Sequence, residues 1–430
     1  MPNDNNTQQT GLKFLLRALR NKNYRIFFCG QGLSLIGTWM QFVAINWLVY
    51  KLTNSPFYLG AVSFANQISS FIIAPLGGVI ADRFDKRKIV FATQFFSMLQ
   101  ALILTVLFFT GNIQIWHILT MSIFIGIVNG FDIPTRQAFI NELVENRDDL
   151  PNAIALNSMI FNGARLAGPS IAGIIIALAG EGTCFAINAA SFIAVLIALF
   201  FIKTKSQISP PASSAVSGFK EGLIYAWHFK PIRYMLLLLS FVSLVAFPYS
   251  IMMPVFARDI LKGSSDTLGF LVGAIGLGAF LGAIYLASRK SVHKLANMIV
   301  VALATFSVAI FAFSLSQILW LSFIFITFAG FGVMIQMAAV NTLLQTIVDD
   351  NKRGRIMSLY TMAFIGMSPF GSFIAGYLAS KIGAPHTIQI GASLCLLATF
   401  LFASKLKKIH QTILPIYEKP KIPTQPPAIT

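Results

Sequence analysis

The sequence predicts an all-α membrane protein of twelve transmembrane helices arranged as two six-helix bundles. Three observations predict it: twelve apolar stretches of membrane-spanning length, loops between them that alternate between basic and nearly uncharged, and one helix pattern that recurs about 200 residues later. A helix rising about 1.5 Å per residue needs about 20 residues to cross a hydrocarbon core of about 30 Å. Residues 26–50, 57–80, 89–110, 115–138, 156–179, 183–202, 234–256, 267–287, 295–316, 318–341, 356–379 and 387–404 each come near that length. Of the 430 residues, 56% are hydrophobic and 11% charged, where an ordinary soluble domain carries about 25% charged residues. Burial in lipid accounts for this balance better than an oversized soluble core.

The loops carry the topology. The formal charge of +17 is spread through them and not gathered in one patch, which fits a lipid bilayer as surroundings and speaks against nucleic acid as a partner. Residues 1–25 are polar and basic, and no small-residue cleavage site follows a short apolar core, so this segment is expected to stay cytoplasmic and uncleaved. The loops then expected in the cytoplasm hold Arg83, Lys86, Arg87 and Lys88, later Arg136 and Arg147, the run from Lys203 to Arg233, Arg289 and Lys290, and Lys352, Arg353 and Arg355. The external loops hold Lys51, Arg258, Lys262 and Lys381. This is the positive-inside bias, and an even number of spans places both termini in the cytoplasm. Cys29, Cys184 and Cys395 form no CxxC pair, and the five histidines are scattered without ligand spacing, so no metal and no other cofactor is expected.

The chain divides at its longest internal connection. Residues 26–203 form the N-terminal bundle, 204–233 a cytoplasmic linker with a Pro- and Ser-rich run before an amphipathic helix, and 234–405 the C-terminal bundle. Residues 406–430, basic and ending Pro-rich, are expected to be a disordered cytoplasmic tail. The repeat supports the division: Gly168 falls on Gly371, Ile171-Ala172-Gly173 on Ile374-Ala375-Gly376, and Gly180 on Gly383. The fifth and eleventh segments are therefore equivalent, as in a two-bundle transporter with its site between the halves.

Between the second and third segments runs Gly78-Val79-Ile80-Ala81-Asp82-Arg83-Phe84-Asp85-Lys86-Arg87-Lys88. Gly78 permits close helix approach, and Asp82 can pair with an arginine or sit at the positive N-terminus of a neighbouring helix. With Arg83 and Arg87 these residues read as a cytoplasmic gate; a charged topogenic loop is the plainer alternative. Here the chain resembles the major facilitator superfamily, whose signature is close to G-x-x-x-D-R-x-G-R-R, with Asp85 standing where a second glycine is common. The resemblance covers about residues 23–405. Gly37-Thr38-Trp39, the run from Phe131 to Ala138, the run from Asn162 to Pro169, and Arg353-Gly354-Arg355 bring it nearest to the enterobactin-exporter-like branch of bacterial efflux proteins. It implies a major facilitator fold in the bacterial inner membrane, a siderophore or drug-like amphiphile as substrate, export by proton antiport with alternating access, and a monomer as working unit.

Asp132 is the clear acid inside a segment and Arg165 the cation placed well inside. A charge at a helix centre costs roughly 2.5–3.5 kcal/mol by insertion scales and so faces a cavity or a partner. Two readings of Asp132 and Arg165 stay open: a proton carrier whose arginine alternates between it and an anionic substrate, or a permanent ion pair. Arg136 could join either as part of a gating network. Polar stripes at helical spacing, with Thr38 and Gln41, Asn129, and Asn162, are expected to line the path from the first half, and Tyr249 and Gln336 from the second. Gly168-Pro169 followed by Gly173 is expected to interrupt the fifth helix, and resembles a shortened antiporter motif that tracks with export in the family.

Other classes find little support. There is no phosphate-binding G-x-x-x-x-G-K-[ST] loop, no G-x-S-x-G and no H-E-x-x-H, so an ATP-driven pump or a membrane enzyme is not expected. A receptor would need a folded domain that no loop is long enough to form. An uptake facilitator for siderophore-like compounds would have the same sequence shape as an exporter.

Overall fold

The computed structural model describes residues 16–203, 215–289, 295–349 and 352–418. All regular structure among them is helical, and twelve helices are long and apolar enough to cross a membrane. They are α1 (Lys22–Thr53), α2 (Pro56–Arg83), α3 (Lys86–Phe109), α4 (Ile115–Leu143), α5 (Leu150–Ala179), α6 (Glu181–Phe201), α7 (Lys230–Ile260), α8 (Ser265–Ala287), α9 (Leu295–Leu315), α10 (Leu319–Ile347), α11 (Arg353–Ile382) and α12 (Ala384–Ala403). Each coincides with one of the twelve apolar segments. Their backbone polar groups are met inside each helix, the condition for crossing lipid. The face where the chain enters α1 and leaves α12 is called terminal, the opposite face distal.

The halves are built alike. In the first, α1 packs on α5 and α6, and α4 on α2 and α3; the halves meet through α2 with α11 and α5 with α8. The glycines of the repeat make these contacts in register. Gly173 of α5 lies against Gly269 of α8, where an added Cβ would fall 2.9 Å from the facing Cα, and Gly376 of α11 lies against Gly60 of α2, at 2.8 Å. Gly168 packs on α1 at Ile36 and Trp39, and Gly371 on α7 at Leu244. Gly180 and Gly383 both turn the chain with positive φ, 79° and 84°, before α6 and α12, a conformation that costs glycine little.

α5 is one continuous helix through Gly168 and Pro169, so the expected interruption there does not occur. Proline removes the donor for the carbonyl four residues earlier, and at three of the prolines a neighbouring glycine covers that carbonyl. The Arg165 oxygen opposite Pro169 meets Gly276 of α8, the Gly130 oxygen opposite Pro134 meets Gly77, and the Leu244 oxygen opposite Pro248 meets Gly371. With no Cβ in the way, the helices approach until Cα–H groups rest on the freed oxygens. The breaks lie elsewhere. α7 is helical to Val245, then winds tightly over Phe247–Met252 and widely over Phe256–Ile260, and α11 is divided at Gly366 and Met367.

Two amphipathic helices lie outside the spans. The linker helix, Ala215–His228, packs on α7 and α11, with Glu221 2.6 Å from Arg355 and Lys352 over the Tyr225 ring at 4.3 Å. Burial and the neighbouring Asp349 carboxylate raise the Tyr225 phenol above its ordinary pKa. Residues 204–214 of the linker lie outside the described residues. The tail is not wholly disordered: Leu406–Glu418 forms a helix that seats Ile409 and Ile413 against α7 and α9, because its apolar residues recur on one side. The rest of the tail, 419–430, lies outside the described residues.

Gly376→Leu should wedge α11 from α2 and separate the distal ends. Spin labels at positions 52 and 262 should report a longer distance than in the parent, and an unchanged distance would show that the contact is dispensable.

Candidate transport site

The halves are joined from the distal face to mid-bundle. On the α2–α11 side, Phe57 and Phe64 pack on Phe373 with ring centroids 5.7 and 5.4 Å apart. Gln67 donates to Ser63 at 2.6 Å, and Ser63 lies 3.4 Å from Ser372. On the α5–α8 side, Ser265 donates to the Gly173 carbonyl at 3.2 Å. The glycine contacts between the halves that lie nearest the terminal face are Gly366 with Phe71 and Gly276 with Arg165, both near the middle of the bundle. Nearer the terminal face, Gly78, Gly163 and Gly354 meet open space. The structure is closed distally and open toward the terminal face.

A polar latch caps the closed end. The Tyr50 hydroxyl of α1 donates to the Asp259 carboxylate of α7, and Arg258 donates to the Asn54 side chain at 2.7 Å while its guanidinium lies 5.8 Å from the Tyr50 ring centroid. Beside them Lys51 bridges to the buried Glu181 at 3.0 Å. Tyr50, Lys51, Glu181 and Arg258 line a cavity of about 420 Å³ at the distal face. Sequence reasoning placed the end of the seventh segment at residue 256 and left Arg258 and Asp259 in a loop. The wide turn that carries them on to α1 has no sequence signal of its own.

Asp132 lies within the first bundle and is 4% exposed. Its Oδ2 accepts from Arg136 Nε at 2.9 Å, one turn along α4, and its Oδ1 from Thr93 and Gln94 of α3 at 2.8 and 2.9 Å. Arg165 is not its partner: the guanidinium stacks 5.7 Å from the Trp39 ring of α1. Asp132 points at α3, whereas Arg165 sits at the α5–α8 crossing, so the permanent ion pair of the two does not form here.

Gln41 is withdrawn from any path. Its amide donates to Gln100 and its oxygen accepts from Asn188, both at 2.8 Å, in a buried cross-brace of α1, α3 and α6. Thr38 is exposed but its hydroxyl donates to the Ser34 carbonyl, and the Asn162 side-chain amide donates to the Ser158 carbonyl. Asn129 is half-buried in α4. Tyr249 is buried at the break of α7, edge-on to Phe306 at 5.7 Å. Gln336 is wholly buried in α10, and neither atom of its amide has a partner. Within the charged loop, Asp82 and Arg83 are exposed at the lip of α2. Gly78 makes no close approach; its neighbour Gly77 does. Asp85 caps α3 by accepting from the Arg87 backbone at 3.0 Å, a helix-start role that explains an acid where glycine is common. Arg87 donates to the Leu199 and Phe200 carbonyls at the end of α6, at 2.7 and 3.0 Å, where a cation suits the helix dipole.

Residues 15–423 match the family model of the transmembrane secretion effectors. The chain belongs to this family. It is 26% identical to the staphyloferrin A transporter of Staphylococcus aureus, over 90% of this chain and 97% of that one. The enterobactin exporter EntS of Shigella flexneri is 22% identical over 90% and 93%, and the multidrug efflux pump Tap of Mycolicibacterium fortuitum 23% over 87% and 93%. Among solved structures, a bacterial homolog of the human lysosomal transporter Spinster, inward-facing and unoccupied, superposes with a TM-score of 0.67 at 14% identity, covering 93% and 99%. An auto-inhibited POT family peptide transporter gives 0.70 at 10%, covering 94% and 99%. These share the fold. This secretion effector is a multi-pass membrane transporter of the major facilitator type and not an enzyme.

Two measurements test the site of this transporter. Tyr50→Phe removes one charge-assisted hydrogen bond, worth about 1.5–3 kcal/mol, and should raise the distally open population about tenfold or more; an unchanged population in spin-label distance distributions would count against the latch. Gln41→Leu orphans Gln100 and Asn188, so the melting temperature should fall by several degrees with substrate affinity unchanged. A loss of affinity at unchanged stability would return Gln41 to the path.

Proposed function

We propose that this transporter exports a small amphiphilic molecule, a siderophore or drug-like compound, across the bacterial inner membrane by proton antiport. The observation that carries export is the match along nearly the whole chain to a secretion family, with an exporter and an efflux pump among its relatives. The basic loops assign the terminal face to the cytoplasm, so the open side is the one from which an exporter loads. One chain supplies both halves of the path, and a monomer suffices.

Alternating access follows from how the halves meet. The distal contacts are narrow glycine crossings and a few hydrogen bonds that can part without disturbing either bundle. On closure of the cytoplasmic side, Asp82 and Arg83 approach the start of α11, where the helix N-terminus favours the Asp82 carboxylate. The proton is assigned to Asp132. Neutralising it releases Arg136, which is then free to pair elsewhere on the cytoplasmic side, and the balance between conformations shifts by the difference in pairing.

Proteoliposomes with an internal pH dye, given catecholate and carboxylate siderophores and lipophilic drugs, test this reading. The parent should show substrate-dependent proton flux. Asp132→Asn keeps the size of the side chain but removes the charge and one accepting oxygen, and should lose that flux while binding substrate. Coupled flux in the variant would place the proton elsewhere; substrate crossing without proton movement would make the protein a uniporter or couple it to another ion.

A further inference from the structure

Arg165 is a cation without an anion. It lies midway along α5, about 22 Å from the helix start at about 1.5 Å per residue. Among the described residues no acid lies within 4.0 Å of it, and it makes no hydrogen bond. Asp132, buried in the same bundle, is already held by Arg136, Thr93 and Gln94.

The position is central. Its backbone forms the last α5–α8 crossing before the halves part, and Gly163, two residues toward the terminal face, meets open space. The guanidinium lies on Trp39, whose ring also meets Phe42 at 5.7 Å and Phe161 at 6.0 Å. Phe42 and Phe161 are 37% and 42% exposed. A fixed fork of donors thus stands at the apex of the opening with aromatic surface beside it.

We propose that Arg165 and Trp39 form the binding site for a carboxylate group of the substrate, whose apolar body rests on Phe42 and Phe161. This deepens the export reading and rests on its assignment of the terminal-side opening as the substrate path. A guanidinium in low-dielectric surroundings carries a large cost unless paired, and its planar donors match a carboxylate in two parallel hydrogen bonds. Stacking on Trp39 holds the fork in one orientation, so little ordering remains when the anion arrives.

Binding of 1-pyrenebutyrate and of its methyl ester to the full chain in nanodiscs, with empty nanodiscs subtracted, tests the site. The parent should bind the acid about tenfold tighter than the ester, as expected for a charge-assisted pair. Arg165→Gln should abolish the preference and leave ester affinity within about twofold, which also reports a folded site; Arg165→Lys should restore part of it. Should Arg165→Gln not fold, Trp39→Leu should reduce the preference by loosening the fork. Equal binding of acid and ester by the parent, or an undiminished preference in Arg165→Gln, overturns the proposal. Selective binding of the acid by a parent that moves neither probe in proteoliposomes would uphold the site and overturn the transport path.

Discussion

In lipid no water is available to a stray backbone oxygen, and this constraint shapes the whole bundle. Pro134, Pro169 and Pro248 each free a carbonyl, and a glycine on a neighbouring helix covers it: Gly77 for Gly130, Gly276 for Arg165, Gly371 for Leu244. The pairing does two things together. It satisfies the oxygen, and it draws two helix axes close enough for backbone to touch backbone. Two of these contacts lie within a half and hold it rigid, while the third joins α5 to α8 across the halves.

Rigid halves joined by glycine crossings are suited to rocking. The α2–α11 and α5–α8 crossings use the same residues of the repeat, Gly376 and Gly173, so both sides of the closed end have one geometry. The larger buried polar networks lie within the first half, and the buried polar side chains described at the interface are the serines Ser265 and Ser372. Gln41, Gln100 and Asn188 brace α1, α3 and α6; Lys86 and Glu142, 2.8 Å apart, join α3 to α4; Asp132 and Arg136 face Thr93 and Gln94. Each network stabilises one half in either conformation. What spans the halves at the distal end is weaker and separable: the Tyr50–Asp259 and Arg258–Asn54 bonds.

The charged loop after α2 has a divided role. Arg87, Lys86 and Asp85 tie α3 to α6, to α4 and to its own first turn, and so belong to the rigid half. Asp82 and Arg83 remain exposed at the lip. The linker helix clamps the second half in a comparable way, with Glu221 on Arg355 and Tyr225 under Lys352, which gives the Arg353-Gly354-Arg355 run a place in the fold.

Twelve helices were legible in the sequence because length and hydropathy are local properties, and the lipid enforces them without reference to any partner. The equivalence of α5 and α11 was legible too, since the same glycines must recur where the same crossing recurs. The site was not. Helical spacing placed Gln41 on a polar stripe but could not say whether that stripe faced the path or α3 and α6. Asp132 and Arg165 stood out as an acid and a cation inside their segments, but the pattern says nothing of rotation about the helix axis, and rotation is set by packing. Only the tertiary structure decided that Asp132 turns to Arg136, that Arg165 turns to Trp39 at the boundary between the halves, and that a wide turn in α7 carries Asp259 to Tyr50.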